Sequence, residues 1–326
     1  MYAQNNNIRI GLDFSSAKFA DDVITSSSEV FGEYTYDLYL ESFVFPSQVS
    51  DGLKLGGNYF YHKLYLKYVQ FPKNLAGFKG YNDNNAFYCY NPLADSDLKV
   101  EIPASVKKLN GAFNYAQSLT EIILNEGLES INTYDFYECK KLTSIEIPGT
   151  VTIIEKDAFT NTSSLKKIVL KNGLKTIGEY AFRNAFSDDI EPFEIPATVT
   201  KIEAYAFHGA KIKSLKIPET VTSLGEKIVQ ECNNLELLEL NTNSIYYNTL
   251  LSSCPALKTL VIGEKVTDIA KITYSVSNFP NLKSVEFKNP KGWKVDGTPV
   301  SEDILKDTTK AAEYVKANCT KHWTRN

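Results

Sequence analysis

Two neighbouring segments of the chain carry the same apolar skeleton with different polar letters. The first reads LTSIEIPGTVTIIEKDAF at residues 142–159, and the second reads LKKIVLKNGLKTIGEYAF at residues 165–182. Aligned copies, 22 to 25 residues apart, begin at Leu119, Leu142, Leu165, Ile190, Ile212, Leu235, Leu257 and Leu282. A unit this short cannot bury its own apolar side chains, so the repeat predicts a stack of similar coils that bury them against one another.

The first letters of each copy alternate as a β-strand does. Ile145 and Ile147 face one way, and Ser144 and Glu146 face the other. Pro148 then ends the strand, because proline has no N–H to give to a sheet. A later inward column repeats an aromatic ring at Phe113, Phe136, Phe159, Phe182 and Phe207. The inward letters are therefore predicted to form the core.

Weaker copies precede the regular ones, at LESFVFP (40–46), LKYVQFP (66–72) and KVEIP (99–103), and IRIGLDF (8–14) alternates like a strand that starts the array. We therefore predict an α/β-type solenoid rich in β, with about eleven coils of 22–25 residues and a parallel β-sheet on one face. Residues 1–37 are assigned to an N-terminal cap or lead-in, 38–290 to the solenoid and 291–326 to a C-terminal cap. In that cap, SEDILKDTTKAAEYVKAN predicts one capping helix, whose apolar contacts would be Ile304, Leu305, Ala311, Tyr314 and Val315.

The skeleton L-x-x-I-x-I-P, V-x-x-I, A-F and then Cys or a small residue resembles the BspA-like leucine-rich repeats of bacterial surface proteins. The match is strongest over residues 119–141, 142–164, 165–189 and 190–211. The stretch from Pro290 to Trp323 resembles the tail that closes such arrays in gut bacteria. The resemblance implies adhesion and, in some members, binding to extracellular matrix.

The composition and charge of the chain give no support to several classes of function. The net charge of −4 and the pI near 5.6 give no general attraction to nucleic acid or to an anionic membrane. No run of 18 apolar residues predicts a transmembrane helix. The N-terminus lacks the basic start and apolar core of a signal peptide. The residues alone leave open a cytosolic protein or a chain whose signal has been removed. The resemblance implies the second, so we expect a protein at the cell surface or secreted.

Residues that carry catalytic or metal chemistry are sparse. The cysteines are widely spaced without a CxxC pair, at Cys89, Cys139, Cys232, Cys254 and Cys319, and the histidines are far apart, at His62, His208 and His322. We predict no enzyme activity, no metal and no cofactor. Cys139, Cys232 and Cys254 share one inward repeat position and are predicted to be free buried thiols, the alternative being a strained disulfide between the last two. His208 is predicted to be a surface residue on a turn.

The outward strand letters are the candidate protein-binding face, because packing does not fix them. Lys216, between Glu194 and Glu239, is expected to pair with both. The expected partner is a host or neighbouring-cell protein bound by a monomer. The candidate residues are Tyr68, Gln70, Glu101, Glu121, Ile123, Ser144, Glu146, Lys167, Val169, Glu194, Ser214, Lys216 and Glu239.

Two other interpretations stay open. Eleven of the twenty tyrosines fall within the first 90 residues. Exposed tyrosines there would suit sugar stacking, with Tyr59, Tyr61, Tyr65 and Tyr68 as the candidates. Buried tyrosines would instead fill irregular coils. A spacer with no ligand of its own is the remaining interpretation.

Overall fold

The computed structural model describes residues 10–13, 40–45, 54–55, 67–78, 97–245 and 251–325. The chain divides into two compact units, Met1–Lys171 and Asn172–Asn326. Both are β-solenoid arrays of parallel strands with little helix. The predicted fold class is thereby confirmed.

The first unit is built on a parallel sheet with one strand from each coil. In sheet order, which is also chain order, the seven strands are Ile10–Asp13, Leu40–Val44, Tyr68–Gln70, Leu98–Ile102, Leu119–Leu124, Ser144–Ile147 and Lys167–Leu170. Equivalent repeat letters lie opposite each other, as Lys167 does with Ser144 and Val169 with Glu146. Because of this register, equivalent outward side chains of successive strands form rows that run across the strands.

A second set of two-residue strands lies at the V-x-x-I letters, and all of its pairs are parallel. In the first unit Lys54–Leu55 pairs with Gly77–Phe78, and Ser130–Ile131 pairs with Ile153–Ile154. In the second unit the paired strands are Thr176–Ile177, Lys201–Ile202 and Ser223–Leu224, followed by Ser244–Ile245 with Asp268–Ile269. A coil that contains both kinds of strand contributes one strand to the main sheet and one to this second set. The two sets together give each unit its solenoid form.

The predicted phenylalanine column forms the centre of the core. All five rings are fully buried. In the first unit, Phe136 stacks on Phe113 with ring centroids 5.9 Å apart and on Phe159 at 5.1 Å. In the second unit, Phe182 and Phe207 stack at 5.3 Å. Each coil therefore supplies the surface on which the next coil packs its ring.

The main sheet of the second unit lacks one predicted strand. Its strands are Ser214–Ile217, Leu237–Leu240, Thr259–Ile262 and Ser284–Phe287. The copy that begins at Ile190 forms no strand in this main sheet, although it keeps Lys201–Ile202 in the second set, so the prediction that Glu194 lies on a strand is wrong. Pro192 explains the difference, because it has no N–H to donate to a neighbouring strand. Ile190 and Ile195 are nevertheless buried, so this coil still contributes to the core.

The structure supports a solenoid of about eight turns, where the sequence predicts about eleven. The copies that begin between Leu119 and Leu282 also number eight, although the one at Ile190 lacks its main-sheet strand. Upstream, Leu40–Val44, Tyr68–Gln70 and Leu98–Ile102 continue the sheet at the predicted positions. Most residues between those strands lie outside the described part of the chain. The total of eleven coils and the boundaries at residues 37 and 290 therefore remain predictions.

The C-terminal segment contains two short α-helices where one was predicted, Glu302–Lys306 and Thr308–Ala317. Asp307 separates them, and its carboxylate accepts the N–H groups of Thr309 and Lys310 at 3.0 and 3.1 Å, which caps the second helix. Of the predicted apolar contacts, those buried are Leu305, Ala311 and Val315, whereas Ile304 and Tyr314 are half-buried.

Three further strands complete this end: Trp293–Val295, Thr298–Pro299 and Trp323–Arg325. Trp323–Arg325 runs antiparallel to both Asp268–Ile269 and Trp293–Val295. A short 3-10 helix, Val276–Asn278, precedes the last coil. Trp293 and Trp323 are fully buried and contact the ring of Phe287, at centroid distances of 5.3 and 5.9 Å. The antiparallel strands and the two tryptophans thus cover the apolar end of the last coil.

Substituting Phe159 tests the packing between coils. We expect Phe159→Ala to lower the free energy of unfolding by about 3–5 kcal/mol, because it leaves a cavity beside Phe136. Urea unfolding followed by circular dichroism would measure this change. The exposed Tyr274 offers a control, and Tyr274→Ala should change stability by less than about 0.5 kcal/mol. Equal effects of the two substitutions would contradict a core built on the phenylalanine column.

Candidate functional site

Two rows of side chains cross the outward face of the first unit's sheet. The first row runs through Tyr68, Lys99, Glu121, Ser144 and Lys167. In the same register, the second row runs through Gln70, Glu101, Ile123, Glu146 and Val169. All of these side chains are exposed or half-buried. The structure thus brings the predicted residues of this unit onto one surface.

Six of the predicted residues line one depression of about 300 Å³ on this surface. We call them the sheet-face patch: Glu121, Ile123, Ser144, Glu146, Lys167 and Val169. Ile123 is 48% exposed and Val169 is 36% exposed, which makes them two of the few large apolar side chains open to solvent in the described residues. They lie in the same row, two coils apart, with Glu146 between them. The patch therefore combines an apolar centre with charged neighbours.

Ion pairs hold the two acids of the patch in place. Lys99 Nζ lies 2.8 Å from Glu121 Oε2, and Lys171 Nζ lies 2.6 Å from Glu146 Oε1. Lys171 also contacts Glu126 at 3.4 Å. The hydrogen bond to Glu146 is the main cause that raises the pKa of Lys171. Because these pairs are exposed to solvent, each is weak, so a partner can displace them at low cost.

Sequence reasoning missed both lysines. Lys99 is the first letter of the weak copy KVEIP and alternates with Glu101, so listing both outward letters of that copy would have found it. Lys171 follows the last residue of its strand and therefore occupies no outward strand letter. The strand pattern alone contains no signal for it.

The rest of the predicted face in this unit is polar or aromatic. Tyr68 is 46% exposed, and its hydroxyl donates to Gln70 Oε1 at 3.3 Å. Glu101 accepts a hydrogen bond from Asn125 Nδ2 at 3.0 Å. The other candidate sugar-binding residues, Tyr59, Tyr61 and Tyr65, lie outside the described residues.

The second unit presents fewer of the predicted residues on a sheet. Ser214, Lys216 and Glu239 lie on strands, whereas Glu194 is exposed in the segment that Pro192 keeps out of the sheet. Lys216 pairs with Glu239 at 3.3 Å. The expected second pair with Glu194 does not form, because without a strand at that coil the two side chains are not held in register.

His208 differs from its prediction as a surface residue. Its side chain is only 17% exposed and packs edge-on against Tyr180 and Tyr205, at centroid distances of 6.1 and 6.2 Å. Burial lowers the pKa of His208, and Glu231, 3.7 Å from its Nε2, opposes that effect. The imidazole is therefore a packing residue between neighbouring turns.

The inward cysteines are free thiols, as predicted, including Cys232 and Cys254. Each donates its S–H to a carbonyl of the preceding coil: Cys139 to Phe113 at 3.1 Å, Cys232 to Phe207 at 2.9 Å and Cys254 to Val229 at 3.0 Å. Burial raises the pKa of each thiol, that of Cys254 to about 12. Protonated thiols are poor nucleophiles. Within the described ranges, no cluster of His, Cys, Asp or Glu could hold a metal ion.

Asp135 is a buried acid that sequence reasoning missed. It occupies the position where later coils carry Ala158, Ala181 and Ala206, and it is fully buried. Its carboxyl group accepts the N–H of Gly111 at 2.6 Å and that of Asn132. Burial raises the pKa of Asp135 to about 8, although the two N–H groups act in the opposite direction. The letters Y-D-F at 134–136, in place of the usual A-F, were the available signal.

The family of the chain follows from its repeats. Residues 83–188 and 184–292 match the model of the BspA type leucine rich repeat region (6 copies). The chain belongs to the BspA-type leucine-rich repeat family. Membership is consistent with a non-catalytic binding or adhesion role, and such repeat proteins are typically found at the cell surface. No helix in the described part of this BspA-type chain is long and apolar enough to span a membrane.

Three solved bacterial structures are similar to this chain. A leucine-rich repeat protein from Bacteroides ovatus is 17% identical, with 87% of this chain and 82% of that chain covered and a TM-score of 0.56. A leucine rich cell surface protein from Faecalibacterium prausnitzii is 20% identical over 83% and 92% of the two chains, with a TM-score of 0.39. The pneumococcal vaccine antigen PcpA is 23% identical over 77% and 66%, with a TM-score of 0.42. No curated protein matches the sequence.

The raised pKa of Asp135 predicts a pH dependence of stability. Between pH of about 4 and about 8 the folded carboxyl keeps a proton that the unfolded one releases, so the free energy of unfolding falls as pH rises. One such group gives a slope of at most about 1.4 kcal/mol per pH unit. Asp135→Ala should flatten the curve of unfolding free energy against pH in this window.

The test is the slope of unfolding free energy against pH. Stability at a single pH would not suffice, because Asp135→Ala also leaves two N–H groups without an acceptor, which lowers stability at every pH. Urea titrations at several pH values would supply the slope. Asp188→Ala, at an exposed acid, is the control and should leave the slope between pH of about 5 and about 8 unchanged. A slope in Asp135→Ala equal to that of the unaltered chain would show that Asp135 is ionised throughout this range.

Proposed function

We propose that this chain is a non-catalytic binding protein, at the cell surface or secreted, that contacts proteins of a host or a neighbouring cell. The sheet-face patch is the centre of its binding surface. The observation that carries the proposal is the exposure of Ile123 and Val169 together on an otherwise polar face. Their exposure contributes nothing to the core, and a partner that covers them removes their apolar surface from water.

The chemistry around the patch supports a protein partner. The apolar centre is bordered by the ion pairs Lys99–Glu121 and Lys171–Glu146. An apolar centre within a polar rim is the usual arrangement of protein–protein interfaces. The neighbouring Glu101 and Tyr68 extend the same face and offer hydrogen-bonding groups to a larger partner. The net charge of −4 argues against nucleic acid as the partner.

The absence of catalysis in this proposal rests on the state of the reactive groups. The inward thiols have pKa values raised by burial, and the side chain of His208 is enclosed by two tyrosines. A nucleophile requires a base within hydrogen-bonding reach, and neither arrangement supplies that pair.

Carbohydrate binding is the second candidate. The exposed ring of Tyr68 favours it, because sugars bind on open aromatic faces. The site would also include Tyr59, Tyr61 and Tyr65. A spacer role would require that neither surface bind a ligand.

A binding screen with paired variants tests the proposal. The purified chain would be immobilised on a surface, and its binding to a panel of extracellular-matrix proteins and glycans would be measured. We expect a protein ligand whose affinity falls at least about tenfold in the double variant Ile123→Glu, Val169→Glu, because each charge prevents burial of the apolar centre. Both sites are exposed, so the fold should persist, which unfolding in urea would verify.

The control is Val276→Glu, at an apolar residue that is 44% exposed and lies outside the sheet. It should leave binding unchanged. Glycan binding that survives the double variant would instead support the tyrosine-rich surface. Binding to no member of the panel would count against the proposal and in favour of the spacer.

A further inference from the structure

The two apolar side chains of the patch have a defined spacing. Ile123 and Val169 lie in one row of a parallel sheet, with one strand between them. Neighbouring strands are about 4.8 Å apart, so the two positions are separated by about 9.6 Å along the stacking direction. A partner segment that covers both must therefore present two apolar side chains at that interval.

Few backbone conformations present side chains at this interval. A β-strand places same-face side chains about 6.7 Å apart, which falls short. An α-helix reaches about 10.5 Å after seven residues, but its intermediate turn also faces the patch, above Glu146. Polyproline II has three residues per turn and a rise of about 3.1 Å, so side chains three residues apart recur every 9.3 Å or so. That conformation fits the spacing best.

The polar groups of the patch suit the same conformation. Polyproline II has no internal hydrogen bonds, so its carbonyl groups are open to outside donors. Ser144 and Lys167, in the adjacent row, carry a hydroxyl and an ammonium group at the depression. Glu146 lies between the two apolar residues, and its bond to Lys171 is an exposed pair that a basic side chain of the partner can join or replace.

We propose that the sheet-face patch binds a polyproline II segment of its partner protein. The segment carries apolar residues three positions apart, and a lysine or arginine at one of the two positions between them, on the flank of the segment, extends its long side chain to Glu146. This inference rests on the proposed function and specifies the partner's chemistry.

Three synthetic proline-rich peptides test the inference by fluorescence anisotropy with the full chain. The first carries two leucines three positions apart with a lysine between them. The second has the leucines two positions apart, and the third replaces the lysine by glutamate. We expect the first peptide to bind at least about tenfold more tightly than either of the others, because only it matches both spacing and charge.

Protein variants assign the preference to the patch. Ile123→Glu should abolish the preference for the three-residue spacing, and Glu146→Gln should remove the discrimination between lysine and glutamate. The matched control is Leu237→Glu, at an apolar residue that is 37% exposed on the sheet of the second unit. It should leave all three affinities unchanged.

Equal affinity for the first two peptides, or a preference that Ile123→Glu does not alter, would overturn the inference. If the first peptide fails to bind while protein capture still depends on Ile123 and Val169, the polyproline II segment is wrong and the proposed function stands. If protein capture is also independent of those residues, both fail.

Discussion

Contact between equivalent apolar side chains of successive coils is the interaction on which the rest of the structure depends. Phe113 and Phe136 stack with their rings fully buried. Bonds between coils follow the same register: the hydroxyl of Thr150 donates to the carbonyl of Leu128 at 2.7 Å, and the thiol of Cys139 to that of Phe113 at 3.1 Å. Because packing fixes this register, the outward letters are carried into rows. The sheet-face patch is a consequence of that alignment.

Two departures from the repeat show what the packing tolerates. Pro192 removes a strand from the second unit's sheet, yet Ile190 and Ile195 are still buried, so the core continues where the sheet does not. Asp135 places a carboxyl group at an alanine position, and the N–H groups of Gly111 and Asn132 satisfy it. A coil can therefore lose its strand pairing in the main sheet when its apolar contacts are preserved. It can also accept a buried polar group when that group is hydrogen-bonded.

The sequence predicts most of the fold because the inward letters have one role, which is burial. It also predicts the rows that contain Ile123 and Val169, since period-two alternation determines which side chains face outward. The sequence does not predict the role of Lys171, because this residue follows the end of its strand, where the period-two alternation no longer applies. The burial of His208 is not predicted for a related reason. It depends on Tyr180 and Tyr205, which lie in turns, and no periodicity determines which way a turn side chain points.

The separation of core from face has an energetic consequence for binding. Substitutions in the phenylalanine column change the surface on which a neighbouring coil packs, whereas the ion pairs around Ile123 and Val169 are exposed and weak. The outward rows can therefore change without loss of the fold, and the spacing between coils stays constant while they do. In such an array, strand separation sets which partner conformations fit, and the outward letters set which of those partners bind. We propose that the 300 Å³ depression of the sheet-face patch is where strand separation and outward side chains together select the partner of this chain.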